Sequence, residues 1–387
     1  MTHASPVLAR ARNATRLQFL ALGIIAGTWG AHIPSVKVRY SLSEATLALV
    51  LLAVACGALS SLLVAGRVIG RLGARNVAAL AAMAMSVLLG GALAFAGLAT
   101  LLPAMVALGA AMSLFDVAIN TEGSMLETLG GRPVMSNLHG MFSVGGMLGA
   151  SIAALLLDMQ VSPRTQLGFV CGGVAIVAVI ASRRMLETHT TGDDAGPQSH
   201  FAWPKGVLLV IGLLILAGMT AEGIMYDWCV LYLRQDVAMP PPQAALGYAT
   251  FAAAMALSRF GGDALRARYS DPLLLRAGAS VAAVAMAVVL VAANAGVALA
   301  GFALVGAGLA PVAPILFNAA TRVPGVSRAA AIASVTSIGY AGFLIGPPLI
   351  GSIATASSLT AALGVVVLAS AILAFGARFV PPQPTGD

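Results

Sequence analysis

Six ionisable side chains lie in stretches of this sequence that are otherwise almost free of charge. They are Asp116, Glu122, Glu222, Asp227, His32 and His139. Two carry a polar partner four residues on, Asn120 after Asp116 and Tyr226 after Glu222. A spacing of four puts both members on one face of a helix. A carboxyl group in an apolar helix is costly and is a functional candidate by default. Asp116 is suited to carry a proton from one side to the other as its access changes, or to bond a neighbouring helix. Asn120 can bond a polar solute or a neighbouring helix. Glu222 is the second candidate for proton or solute binding. Asp227, one and a half turns beyond it, suits a gating or a structural role. Glu122 and His139 can pair if their helices are adjacent, or His139 can bond a backbone carbonyl. Trp29 can stack on a ligand ring, His32 lies one turn beyond it, and Tyr340 adds a hydroxyl one turn from Thr336.

The segments that must position these groups follow from composition. Of 387 residues, 59% are hydrophobic and 9% charged, with mean hydropathy +0.94. Soluble domains carry about 25% charged residues, so a soluble enzyme and a disordered chain are both excluded. No Asp, Glu, Lys or Arg occurs between Arg75 and Asp116, between Arg276 and Arg322, or between Arg328 and Arg378. A membrane crossing needs about 20 apolar residues, so each gap holds two crossings and a tight hairpin. The expectation is an all-α membrane protein of twelve helices: 17–36, 44–65, 77–97, 101–126, 134–157, 166–182, 207–233, 243–262, 273–293, 297–321, 329–353 and 358–379. The segments lack the alternation of a membrane β-barrel.

An even count puts both termini on one side. Seventeen of the 21 Lys and Arg residues, Arg259 among them, fall on that side. The excess of positive charge predicts cytoplasmic termini and a multi-pass protein of the cell's inner membrane. Basic residues spread over short loops do not form a nucleic-acid face. Cys56, Cys171 and Cys229 show no paired spacing, so neither a disulfide framework nor a metal site is expected. The polar stretch from Arg183 to Lys205 reads as a cytoplasmic linker. It contains His189, Asp193, Asp194 and His200, which fit a solvated loop better than a metal site. The expected domains are therefore an N-terminal bundle over 1–182, a linker over 183–206 and a C-terminal bundle over 207–387.

The halves match at an offset of 197 residues, Gly109 with Gly306, Gly145 with Gly342 and Gly149 with Gly346. Small residues four apart let membrane helices approach closely. Between the second and third helices, Gly66, Arg71, Gly73 and Arg75 fit the pattern GxxxDRxGRR, with Gly70 at its acidic position and Ala74 at one arginine. On these residues the chain resembles the major facilitator superfamily along nearly its full length. SLFDVAINTEGSMLE followed by SNLHGMFSVGGMLGA resembles its MosC-like, rhizopine-permease-like group, related to fucose–proton symporters.

The resemblance implies two six-helix bundles with pseudo-two-fold symmetry and a solute site between them near mid-membrane. It implies Asp116 as proton carrier, Asn120 as solute contact, and Glu222 and Tyr226 facing the cavity. The branch's helix 1 carboxylate has no counterpart among Gly30, Ala31 and His32. The implied activity is secondary transport by alternating access, as proton-coupled uptake of a small polar, sugar-like solute. The alternative is proton-coupled efflux of amphipathic compounds. The implied partners are the lipid bilayer, the solute and protons, with no cofactor, and the protein acts as a monomer. No HExxH, GxSxG or P-loop pattern supports an enzyme or a nucleotide-driven pump.

Overall fold

The computed structural model describes residues 6–131, 134–186 and 205–381. The linker residues His189, Asp193, Asp194 and His200 lie outside them. Thirteen α-helices run in sequence through the described residues, which contain no strand. They are α1 (Pro6–Arg39), α2 (Glu44–Leu72), α3 (Ala74–Gly90), α4 (Leu98–Gly130), α5 (Met135–Asp158), α6 (Pro163–Ser182), α7 (Val207–Gln235), α8 (Pro241–Arg266), α9 (Asp271–Ala292), α10 (Ala295–Leu309), α11 (Val312–Ala320), α12 (Arg328–Ala356) and α13 (Leu359–Gly376). Ten segments are long and apolar enough to cross a membrane, with α10 and α11 counted as one. The shorter apolar α3 and the 26-residue α8 bring the crossings to twelve.

Local chemistry sets the ends. Ser43, Ser162, Ser327 and Ser358 each accept a backbone N–H at a helix start, and Asn294 does so at α10. Such caps satisfy amides that the first turn leaves without partners. Gly73 ends α2 with φ 78°, a conformation open to glycine at little cost. The expected tenth helix is interrupted at Ala310–Pro311, where proline removes a backbone donor. Pro347 and Pro348 lie inside a continuous α12. The first helix starts at Pro6, so Arg10, Arg12 and Arg16 are helical rather than part of a leading loop.

By contact density the chain divides into two compact units, Met1–Asp194 with Pro240–Ala249 and Ala195–Met239 with Thr250–Asp387. In the first, α1 packs on α5 and α2 on α4; in the second, α7 packs on α12 and α9 on α10. Large apolar side chains such as Leu63, Phe169 and Val291 face outward, as suits a surface solvated by lipid.

The internal repeat is visible atom by atom. A Cβ on Gly109 would lie 1.9 Å from the Val54 carbonyl, and a Cβ on Gly306 would lie 2.3 Å from that of Phe251. Gly145 meets Gly23 across α1 and α5, and Gly342 meets Thr220 across α7 and α12. Each second-half pair lies 197 residues after its counterpart. Close backbone approach is what holds such helices together in lipid, where no hydrophobic force drives association.

Candidate functional site

In the first unit, Asp116 and Asn120 lie on α4, both half-buried. The Asn120 Nδ2 donates to Asp116 Oδ1 at 3.0 Å and to the Asp116 carbonyl at 2.9 Å. The i,i+4 geometry thus turns the amide toward the carboxyl. Asp116 Oδ2 and Asn120 Oδ1 have no hydrogen-bond partner among the described residues, so both can meet a solute or water.

Trp29 is buried on α1. His32 is fully buried; its Nδ1 lies 3.3 Å from Ser35 Oγ, and its Nε2 has no hydrogen-bond partner among the described residues. Glu122 is buried, and its Oε1 accepts from the Leu186 backbone N–H at 2.8 Å. His139 sits edge-on to Phe19, with centroids 5.3 Å apart, across α1 and α5. Glu122 and His139 therefore take separate neighbours: one ties α4 to the segment after α6, the other lies in the α1–α5 seam.

Gly66, Arg71, Gly73 and Arg75 span the α2–α3 turn. Gly73 N–H donates to the Ile69 carbonyl at 2.8 Å. Arg71 is exposed, and no atom lies within 4 Å of a Cβ built on Gly66. The turn geometry of the pattern is present without its acidic residue.

The second unit holds two carboxylate clusters. Glu222 is at the middle of α7. Its Oε1 accepts from Tyr226 Oη at 3.1 Å and from an Arg259 guanidinium nitrogen of α8 at 3.2 Å. Tyr226 Oη also lies 3.4 Å from Met255 Sδ, and its ring packs edge-on to Phe251 at 5.2 Å. The Arg259 and Glu222 side chains are 16% and 18% exposed, so the pair is partly open. Arg259 lies two turns before the end of α8. It falls inside the helix expected over 243–262, and its ion pair with Glu222 was not expected.

The second cluster, at the start of α9, was not expected either. Asp271 is fully buried, with Oδ1 3.0 Å from Arg266 Nε and Oδ2 2.7 Å from an Arg322 nitrogen. With its amide oxygen turned inward, Asn318 accepts from both arginines at 2.8 and 2.9 Å. Asn318 therefore joins this cluster.

Asp227 faces a small cavity between α7 and α12, with Thr220, Gly223, Trp228, Gly342 and Phe343 in its walls. Trp228 is fully buried there rather than lipid-facing, and its Nε1 lacks an acceptor. Tyr340 is half-buried on α12, with its ring 6.4 Å from that of Phe343. The groove between α9 and α10, lined by residues such as Val281, Val284 and Leu304, is apolar and suits acyl chains rather than a polar solute. No group of three or more His, Cys, Asp or Glu side chains able to hold a metal occurs among the described residues.

Comparison with known proteins agrees with this architecture. The Major Facilitator Superfamily profile matches residues 16–327. An uncharacterized MFS-type transporter of Yersinia pestis is 36% identical over 366 residues, covering 95% of this chain and 94% of that one. The membrane protein MosC of Rhizobium meliloti is 30% identical over 385 residues, covering 100% of this chain and 94% of MosC. Among solved structures, the nucleoside transporter NupG superposes with a TM-score of 0.73 at 13% identity, covering 96% of this chain and 98% of NupG. The E. coli fucose:proton symporter FucP superposes with a TM-score of 0.65 at 16% identity, covering 96% and 98%. At these identities the two structures speak for the fold alone. The profile match and the two relatives establish that the chain belongs to the major facilitator superfamily.

Proposed function

We propose that this transporter takes up a small polar, sugar-like solute together with protons by alternating access. The observation that carries the reading is a half-buried carboxylate with a polar partner one turn away, present once in each unit. These are Asp116 with Asn120 and Glu222 with Tyr226. Intramembrane carboxylates of this kind mark proton relays. Asp116 has an oxygen to spare for a proton or a solute hydroxyl, and Glu222 accepts hydrogen bonds from Tyr226 and Arg259. The kinship with MosC, whose group the sequence resemblance links to sugar-like solutes, supports a solute of this class.

Trp29, Asn120, Tyr226 and Tyr340 supply aromatic and hydrogen-bonding surface, with His32 behind Trp29. Glu122, Asp227, His139 and the Gly66–Arg75 turn serve gating or structure. The protein sits as a monomer in the inner membrane with both termini in the cytoplasm. The 17 to 4 excess of basic residues on that side supports this orientation.

The test is uptake into proteoliposomes under an imposed inward proton gradient. Labelled fucose, myo-inositol and nucleosides are offered, with a cationic dye as the amphipathic competitor. Gradient-driven accumulation of one polar solute supports the reading. Gradient-driven extrusion of the dye without polar uptake favours efflux and overturns it.

A further inference from the structure

The groove between α9 and α10 lies apart from Asp116 and Glu222, and the transport reading does not use it. Its volume is about 560 Å³, within the range of clefts that hold small molecules. Val281, Val284 and Val288 of α9 face Val297 and Leu304 of α10 across it. The buried Ala285 and Gly301 form its floor, and their small size gives it depth. Behind it the two helices touch: a Cβ on Gly278 would lie 2.6 Å from the Gly308 carbonyl oxygen, and one on Gly301 would lie 2.2 Å from Val289 Cγ2. The groove is therefore a fixed feature of a closely packed hairpin.

One end of this apolar groove carries a charge. Arg276 lies one turn before Ser280, the groove residue nearest the start of α9. Residues 276, 280, 284 and 288 are spaced by four, so they form one ridge on the helix surface. Arg276 is exposed, and no acidic side chain pairs with it among the described residues. Asp271, one turn and a half earlier, is held by Arg266 and Arg322. An arginine stays charged at any physiological pH, and near a helix end its long side chain reaches the membrane interface. From Arg276 to Val288 the ridge rises about 18 Å. Half of a hydrocarbon core is about 15 Å thick. The ridge thus runs from headgroup level to just past the bilayer centre.

We infer that the α9–α10 groove and Arg276 together bind one anionic phospholipid. Its phosphate sits on the Arg276 guanidinium, and one acyl chain lies along the valines. A guanidinium fork matches phosphate oxygens in a bidentate fashion, and the apolar walls match the chain. The charge argues against the other occupants: a neutral lipid gains little from a cation at the groove's end, and a second copy of this chain would have to bury it. With the orientation proposed above, the lipid belongs to the cytoplasmic leaflet.

The experiment measures lipid binding without flux. Full-length protein in detergent is mixed with equal amounts of phosphatidylglycerol and phosphatidylcholine carrying the same chains, and the retained lipid is counted by native mass spectrometry. The wild type is expected to favour phosphatidylglycerol about fivefold, the weight of one basic residue beside an anionic lipid. Arg276→Gln is expected to lose that preference. Arg268→Gln, at an exposed arginine outside the ridge, is expected to keep it. Ala300 is an exposed groove residue, so Ala300→Phe fills the groove from its open side and is expected to retain less of both lipids. Phosphatidylglycerol with a photoreactive group on its chain is expected to cross-link to 280–288 and 297–304.

The inference is overturned if R276Q keeps the wild-type preference, or if R268Q loses as much of it. It is also overturned if A300F retains as much lipid as the wild type, or if the cross-links fall on other helices. Dimers of the wild type that A300F dissociates would make a second copy the occupant, and overturn it as well. Asp116, Glu222 and Arg259 play no part in these measurements, so their outcome is separate from that of the transport assay.

Discussion

Arg259 reaches from α8 to Glu222 at the middle of α7 and meets its carboxylate at 3.2 Å. The contact joins two helices within a span, where a charge is tolerated only with a partner. Removing Arg259 leaves the partly buried Glu222 carboxylate without its ion pair, at a cost of up to about 3 kcal/mol. Arg259→Met is therefore expected to lower the melting temperature of the purified protein sharply, and adding Glu222→Gln to recover most of the loss. Equal melting temperatures for the single and double variants would show that the pair does not act as a unit.

The Asp271 cluster allows a stability test away from transport. Asp271→Asn removes the carboxylate that faces Arg266 and Arg322. The loss is expected to be about 3–5 kcal/mol, seen as poor recovery of monodisperse protein on size exclusion. Arg71→Ala at the exposed α2–α3 turn is expected to change stability by less than about 0.5 kcal/mol. The two turns are thus expected to differ in proportion to the burial of their charges.

Glycine positions separate packing from mere composition. Gly109→Ala places a methyl 1.9 Å from the Val54 carbonyl and must part α2 from α4. Overpacking of this kind costs about 1–3 kcal/mol or more. Gly66→Ala meets nothing within 4 Å and is expected to be neutral or to stabilise α2 by up to about 1 kcal/mol. Thermal unfolding of the two variants side by side checks the contrast.

Much of this was legible in the sequence because it depends on neighbours along one helix. Asp116 with Asn120 and Glu222 with Tyr226 are i,i+4 pairs, and the structure gives both hydrogen bonds. The glycine repeat at an offset of 197 was legible for the same reason, since both halves bury the same positions. The partners that come from elsewhere were not. Asp271 takes Arg322 from 51 residues away, and Glu122 takes a backbone amide after α6. Arg259 was placed in the eighth helix, but its partner Glu222 comes from 37 residues away on α7. Proline was ambiguous too: it breaks the chain at Pro311 but is absorbed at Pro347 and Pro348, where α12 packs on α7.

The most direct test of proton-coupled uptake is the behaviour of Asp116→Asn in proteoliposomes. The substitution keeps the size of the side chain and the neighbouring Asn120 but cannot carry a proton. Uptake of a transported solute under an inward proton gradient is expected to fall to the background of empty vesicles. Counterflow exchange of the same solute, which needs no net proton movement, is expected to persist. Gradient-driven uptake by this variant with the pH dependence of the wild type would contradict the account.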